Sequence, residues 1–245
     1  MSGQDSLQEI AFFDEFTRSR DYDSLMPRGY RAIIKAFCEC LGPRRSQVRT
    51  AVDLGCGTGS FTRRFFQQDG LVGVGVDISF QAVRRAASNN DGIHYFVSDI
   101  SRTAIKDGSV DLVVFSGVLH HFPDMTACLN EARRILRKGG MFLSYDPHIH
   151  NPCMWLYRHP RSPFYSKAGK TANERLLSKQ EMQEALHKSG FINIKTLAIS
   201  GVAISYLESP AARRFLAFYN AFEYLLGLLP VSRSIGSFLI CYAEK

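Results

Sequence analysis

The stretch VDLGCGTGSF, Val52 to Phe61, sets three glycines, Gly55, Gly57 and Gly59, just beyond a short apolar run that ends in an aspartate. Glycine adopts backbone angles that other residues avoid and lets a ligand approach the main chain closely. A helix opening behind such a loop offers free N–H groups that suit an anion. The spacing is G-x-G-x-G, however. A dinucleotide loop reads G-x-G-x-x-G, and a phosphate-gripping loop continues into G-K-[ST]. Asp53 is the sharper feature, because a carboxylate at the mouth of the loop repels a pyrophosphate and suits a ligand with positive charge.

On both sides of the loop, apolar runs alternate with amphipathic ones. RTAVDL (49–54) predicts a buried strand, SFTRRFFQQ (60–68) a helix, LVGVGVD (71–77) a strand, and SFQAVRRAASNN (79–90) a helix capped by Ser79. IHYFV (93–97) and VDLVVF (110–115) are the next strands. Asp124 stands where it can cap a helix over 125–138, which Gly139-Gly140 closes before the strand MFLSYD (141–146). Upstream, GYRAIIKAFCECLG (29–42) reads as a helix with a glycine-then-proline exit. Downstream, Ser178 and Glu181 form a capping box for a helix over 179–190, followed by a strand over 191–199, an apolar block over 206–230 and a final strand within 234–245. Strands this uniformly apolar, separated by helices, predict a parallel sheet covered on both faces. The irregular stretch from Pro147 to Leu177 is long enough to hold a lid, substrate contacts or a further short helix.

Two more carboxylates stand at the ends of the following strands, Asp77 in GVDIS and Asp99 in SDIS. Asp77 lies about twenty residues past the loop, where a carboxylate accepts from both hydroxyls of a ribose. Asp99 is placed to accept from an adenine amino group. A ligand with an amino-acid end, a positive centre, a ribose and an adenine, but no phosphate, meets all of these features.

The chain of 245 residues, 45% hydrophobic and 22% charged, is long enough for one large core and has no repeat or low-complexity tract, so a single domain is expected. The opening MSGQDSLQEIAFFDEF has acids ahead of any basic cluster and no apolar run of signal-peptide length. No stretch reaches the ~18 uncharged apolar residues of a membrane span. Six scattered cysteines without a C-x-x-C pair speak against a zinc site and a disulfide framework, and a cytoplasmic location is expected. The net charge of +7 is spread along the chain in arginine pairs, most of them on expected helices, where a solvated face is the ordinary use.

Together, VDLGCGTGSF, GVDIS, VSDI and VLHHFPD resemble the class I S-adenosylmethionine-dependent methyltransferases, in particular their small-molecule group, the methyltransferase 11 or 12 type. The resemblance covers Val48 to Asp146, with a looser similarity in LLSKQEMQEALHKSGF. It implies a Rossmann-like sheet of seven mostly parallel strands with helices on both faces, an antiparallel last strand in 235–245 and a helical insertion before it. It divides the chain into a helical flap (1–42), a cofactor-binding core (48–146) and a substrate-side loop and insertion (147–234). The implied cofactor is S-adenosylmethionine, and its product is S-adenosylhomocysteine. Carried over by position, Asp53, Gly55, Cys56 and Gly57 surround the methionine portion, Asp77 and Ile78 the ribose, and Asp99 and Ile100 the adenine. Ser116, Gly117 and Val118 lie beneath the cofactor, and Phe13, Arg18 and Tyr22 belong to the flap above it.

The sulfonium makes the methyl group electrophilic before the protein acts, so transfer depends mainly on holding the nucleophile in line with the S–CH3 bond. A base is needed when the acceptor must lose a proton, as a hydroxyl or phenol does. His120 and His121 follow the fourth strand at the crevice and are the expected bases, with His120 favoured to face the acceptor. Tyr145, His148 and His150 follow the fifth strand as further candidates. That His-x-His pattern lacks a carboxylate or cysteine at ligand spacing, so no metal is expected. A nucleic-acid substrate is disfavoured, since no [ND]-P-P-[YF] motif follows the fourth strand and Pro152-Cys153 alone is a poor match to a cytosine C5 nucleophile.

The block 206–230 sets Phe215, Phe218, Tyr219, Phe222, Leu225 and Leu226 at helical spacing, which predicts core packing. The sharper alternative is a roof over an apolar acceptor pocket, or a peripheral membrane contact with Arg213 and Arg214 facing headgroups. The expected activity is methyl transfer to a small secondary-metabolite or lipid-like acceptor, at oxygen ahead of carbon or nitrogen. A partner protein that binds the cofactor without catalysis is one alternative. A nicotinamide-dependent oxidoreductase is the other, disfavoured by the glycine spacing and Asp53. The oligomeric state is left open.

Overall fold

The computed structural model describes residues 3–19, 25–67, 70–165, 170–171, 173–206 and 213–245. Seven strands form one sheet: β1 (Thr50–Leu54), β2 (Val72–Asp77), β3 (His94–Val97), β4 (Val110–Ser116), β5 (Leu136–Pro147), β6 (Ile192–Ile199) and β7 (Phe238–Glu244). Their order is β3-β2-β1-β4-β5-β7-β6. β1 pairs in parallel with β2 and β4, so that Val52 lies beside Val74 and Val113. β7 inserts between β5 and β6 and runs antiparallel to both. The chain winds outward from β1 to β3 and restarts at β4, which opens a crevice at the carboxyl ends of β1 and β4.

Both faces of the sheet are covered. Ala51, Leu112 and Leu143 pack with Ile33 and Phe37 of α2 (Pro27–Leu41), while Val52, Val113 and Phe142 pack on the other face with Leu129 and Ile135 of α5 (Thr126–Ile135). Burial on two faces is why the strands read as continuous apolar runs. α2 starts with Pro27 in its first turn and stops at Gly42, where φ is 52°. Ser79 caps α4 (Phe80–Ala87) by accepting from the Ala82 N–H, and Ser178 caps α7 (Lys179–Lys188) by accepting from the Glu181 N–H. No helix among the described residues is long and apolar enough to cross a membrane.

Several local expectations are revised. The helix behind the glycine loop is a single turn, α3 (Thr62–Phe65), and the expected Gln68 lies outside the described residues. α5 stops at Ile135, and Gly139-Gly140 lie inside β5, because Leu136 already pairs with Val110 and the sheet claims the chain from there. Met125 occupies the N-cap of α5, while Asp124 accepts from the Thr126 N–H at 2.9 Å. The stretch after Pro147 contains a short helix, α6 (Pro152–Arg158), capped by Asn151.

The largest revision concerns 206–230, of which 207–212 lie outside the described residues. α8 (Leu216–Gly227) buries only Tyr219, Glu223 and Leu226, while Phe215, Phe218 and Leu225 remain exposed. It is not a core helix. A buried carboxylate holds its inner face, with Glu223 accepting from Asn151 and Ser237.

Candidate active site

A cavity of about 230 Å³ sits over the carboxyl ends of β1, β2 and β4. One end of it is the glycine loop. Gly55 has φ 83°, and a Cβ there would stand 2.7 Å from the Val118 side chain, so only glycine fits. Gly57 has φ 53°, and a Cβ there would meet no atom within 4 Å, so the loop leaves open room above its own backbone. Asp77 ends β2, with Oδ2 accepting from the Gly57 N–H (2.8 Å) and Oδ1 from the Ser79 N–H (2.9 Å). It braces the loop and faces the cavity. Burial raises its pKa and the N–H donors oppose that rise. Asp99 is exposed on the lining and accepts from the Ser101 N–H and hydroxyl, both at 2.8 Å. Cys56, Ile78, Ile100, Ser116, Gly117 and Val118 complete this end. The Cys56 thiol is pushed up by burial and has no nucleophilic character.

Asp53 stands elsewhere than expected. It is wholly buried behind the lining, not at the mouth of the loop. Its Oδ2 accepts from the hydroxyls of Thr62 (2.6 Å) and Ser116 (2.9 Å), tying α3 to the end of β4. Burial pushes its carboxyl up to about 7, against the pull of those two hydroxyls. The register explains the change. In a strand, successive side chains alternate between faces, and Asp53 at the penultimate position of β1 points into the packing beneath the loop.

The other end of the cavity carries His120, His121, Tyr145, Arg158 and Glu174. His120 and His121 lie in a single 3-10 turn after β4, Leu119–His121, and both are buried. Asp146, near the end of β5, accepts the His120 main-chain N–H (3.1 Å) and its ring Nδ1 (2.9 Å) on the same oxygen, Oδ1. In the tautomer with Nδ1–H donating to that oxygen, Nε2 is the proton acceptor of the ring. Burial pushes the His120 imidazole down to about 3, so it is neutral at neutral pH. Burial likewise raises the Asp146 carboxyl.

His121 also sits down at about 3, again through burial. Its Nδ1 meets Thr171 Oγ1 at 3.0 Å, and Phe13 packs edge-on against its ring at 5.4 Å. Glu174 pairs with Arg158, and although burial works against its charge, that guanidinium holds the carboxyl below its usual range. His120, His121 and Glu174 each bring a ligand atom within 4.8 Å of the others, a cluster that spacing along the chain did not reveal. Arg158 already supplies the cation beside Glu174.

α1 (Gly3–Ser19) lies across the cavity as a flap. Glu9, Phe13 and Thr17 line it, and Asp14 accepts from the Ser79 hydroxyl (2.5 Å) and the Gln81 N–H (3.2 Å), which pins the flap to the start of α4. Arg18 is exposed and away from the lining, and Tyr22 lies outside the described residues.

His148 is wholly buried and off the lining, with Nδ1 bonded to the Gly236 carbonyl at 3.0 Å. It joins β5 to the turn before β7, a structural task, and does not face the cavity. Cys153 is likewise inert, its thiol raised to about 11 by burial. Sequence reading missed Asp146, Arg158 and Glu174. Asp146 carried the same signal as Asp77 and Asp99, an acid at a strand end, and the other two fall in the stretch that its length had marked.

Residues 52–144 match a family model described as a methyltransferase domain. A chloroplastic protein of Arabidopsis thaliana, named an uncharacterized methyltransferase, is 32% identical over 47% of this chain and 35% of its own length. A malonyl-[acyl-carrier protein] O-methyltransferase of Hamiltonella defensa is also 32% identical, over 38% of this chain and 35% of that protein. The chain thus spans little more than a third of these curated relatives. The solved structure of an S-adenosylmethionine-dependent methyltransferase from Thermotoga maritima, described as a possible histamine N-methyltransferase, superposes with TM-score 0.63 at 19% identity, covering 98% of this chain and 96% of that one. At that identity the likeness concerns the fold.

Proposed function

Because residues 52–144 carry a methyltransferase domain, we propose that this protein transfers the methyl group of S-adenosylmethionine to a hydroxyl of a small, largely apolar acceptor, with His120 as general base. The residues present suit that cofactor. Asp77 and Asp99 face the cavity where hydroxyl and amino donors are expected, room lies open above Gly57, and the only Lys or Arg on the described lining, Arg158, is held by Glu174 at the opposite end. When bound, the cofactor supplies a methyl group already activated by the sulfonium.

The chain then has three tasks. Asp77 and the glycine loop orient the donor. The flap residues Phe13 and Thr17, with Tyr30, Phe61 and Phe238, exclude water and offer the acceptor an apolar wall. His120 Nε2 takes the hydroxyl proton as the oxygen attacks, while Asp146 holds the ring in place through Nδ1. The Asp146–His120 pair is the observation that carries this reading, since a hydroxyl must lose its proton as its oxygen attacks. The name of the Hamiltonella relative, an O-methyltransferase, agrees with oxygen as the receiving atom.

Incubation with labelled S-adenosylmethionine and matched hydroxyl, amine and carbon acceptors, read by mass spectrometry, tests it. Methylation confined to amines would overturn the assignment to oxygen, and no transfer to any acceptor would favour a cofactor-binding partner protein.

A further inference from the structure

α8 turns one narrow face inward and is held there by polar bonds. Glu223 is clamped by Asn151 Nδ2 (2.9 Å) and Ser237 Oγ (2.6 Å), and Tyr219 donates to the Val202 carbonyl (3.2 Å). These bonds fix the rotation of the helix, so its other faces are committed to the outside. There Phe218 is 63% exposed and Leu225 60%, and Leu228, just past the helix end, is 67% exposed. The apolar surface continues onto neighbouring elements. Phe215 meets Phe164, beyond α6, at 6.2 Å, and Tyr224 lies under the Arg28 guanidinium of α2 at 5.6 Å, beside the exposed Met26. Contiguous exposed apolar patches of this kind mark contact surfaces.

Charge decides what the surface meets. The cations beside it are Arg28, Arg161, Arg213, Arg214 and Arg233, all exposed, and the one carboxylate of α8, Glu223, is wholly buried. An aromatic and leucine-rich face rimmed by arginines is the pattern of a helix that lies in a lipid interface. A second copy on a two-fold axis would bring the same cationic rim against itself, which disfavours self-association through this face. α8 has 12 residues and cannot span a bilayer, so the contact is peripheral. We propose that this face docks the protein on anionic lipid bilayers. The patch also adjoins the cavity, because Leu25 and Tyr30 line the cavity while Met26 and Arg28 lie on the patch. Docking would therefore bring the acceptor end close to the lipid surface.

Flotation with phosphatidylcholine vesicles, with and without about 30% phosphatidylglycerol, tests this at low and high salt. The full chain should float with the anionic vesicles and leave them as salt rises. Phe218→Asp with Leu225→Asp should cut the bound fraction about tenfold or more, and Arg214→Ala with Arg233→Ala should weaken binding to anionic vesicles alone. Unchanged calorimetric binding of S-adenosylmethionine by the variants shows that they are folded and separates this test from that of the reaction. Failure of the full chain to float, or flotation unaffected by the aspartates, would overturn the proposal. So would light scattering that finds a dimer which the aspartates turn into a monomer, since the face would then be a self-association surface.

Discussion

The two ends of the cavity are built in opposite ways. The glycine-loop end takes its walls from consecutive strand ends, with Asp77 the last residue of its strand and Gly55, Asp99 and Gly117 a short step beyond theirs. The opposite end gathers His120 from the turn after β4, Asp146 from β5, Arg158 from α6, Thr171 and Glu174 from the long connection, and Glu9 and Phe13 from the flap. The first is a property of the sheet itself. The second depends on segments that loops hold in place, and such segments can change without disturbing the core.

If the two ends are independent, His120→Ala should lower methyl transfer by about 10²–10⁴ while S-adenosylmethionine affinity, measured by calorimetry, stays within about threefold. Parallel loss of both would mean that the ends form one unit. Asp77→Ala should act in the converse sense and weaken S-adenosylmethionine binding about 100-fold or more, close to 3 kcal/mol, because it removes a ligand contact and the brace on Gly57 together. Affinity that survives the change would detach Asp77 from the donor.

Asp53→Asn sharpens the contrast between lining and support. Asn keeps one oxygen for the Thr62 and Ser116 hydroxyls, so affinity should change by less than about tenfold. Its effect belongs to stability and pH. A carboxyl at about 7 in the folded protein and near 3.8 unfolded stabilises below pH 3.8 and loses that contribution as pH rises through 7. The variant should therefore flatten the decline in urea midpoint between pH 4 and 7, and a midpoint profile identical to that of the parent would refute the buried placement. The smallest effect is expected at His148, held down at about 4 by burial. Its folded pKa is depressed, so its contribution is complete above pH 6.5 and disappears as pH falls through 4. His148→Gln keeps a donor for the Gly236 carbonyl and should remove about 1 kcal/mol of the loss between pH 7 and 5, with methyl transfer unchanged. Lost activity would return His148 to the acceptor end.

Legibility in the sequence followed the same division. The sheet could be read because its central strands β1, β4 and β5 are buried on two faces and show it as apolar runs, and the acids at 77 and 99 could be read because strand ends follow directly from strands. Asp53 was placed wrongly because one position along a strand reverses the direction of a side chain. The end of α5 was set too late because pairing of Leu136 with Val110 outweighs a helical pattern that runs on to Lys138. Spacing alone likewise sent α8 to the core, although Glu223 and its two partners decide which face turns inward.

What the sequence by itself determined is the alternation of strands and helices, the glycine loop and the carboxylates around one end of the cavity, since each follows from interactions between near neighbours in the chain. Only the tertiary structure decided that Asp146 orients His120, that Glu174 and Arg158 stand beside them, that Asp53 supports the loop from behind and that α8 exposes its aromatic side. Those pairings join residues 26, 16, 9 and 72 positions apart, and the contact of each depends on how β5, the long connection and the C-terminal helix pack around a finished sheet.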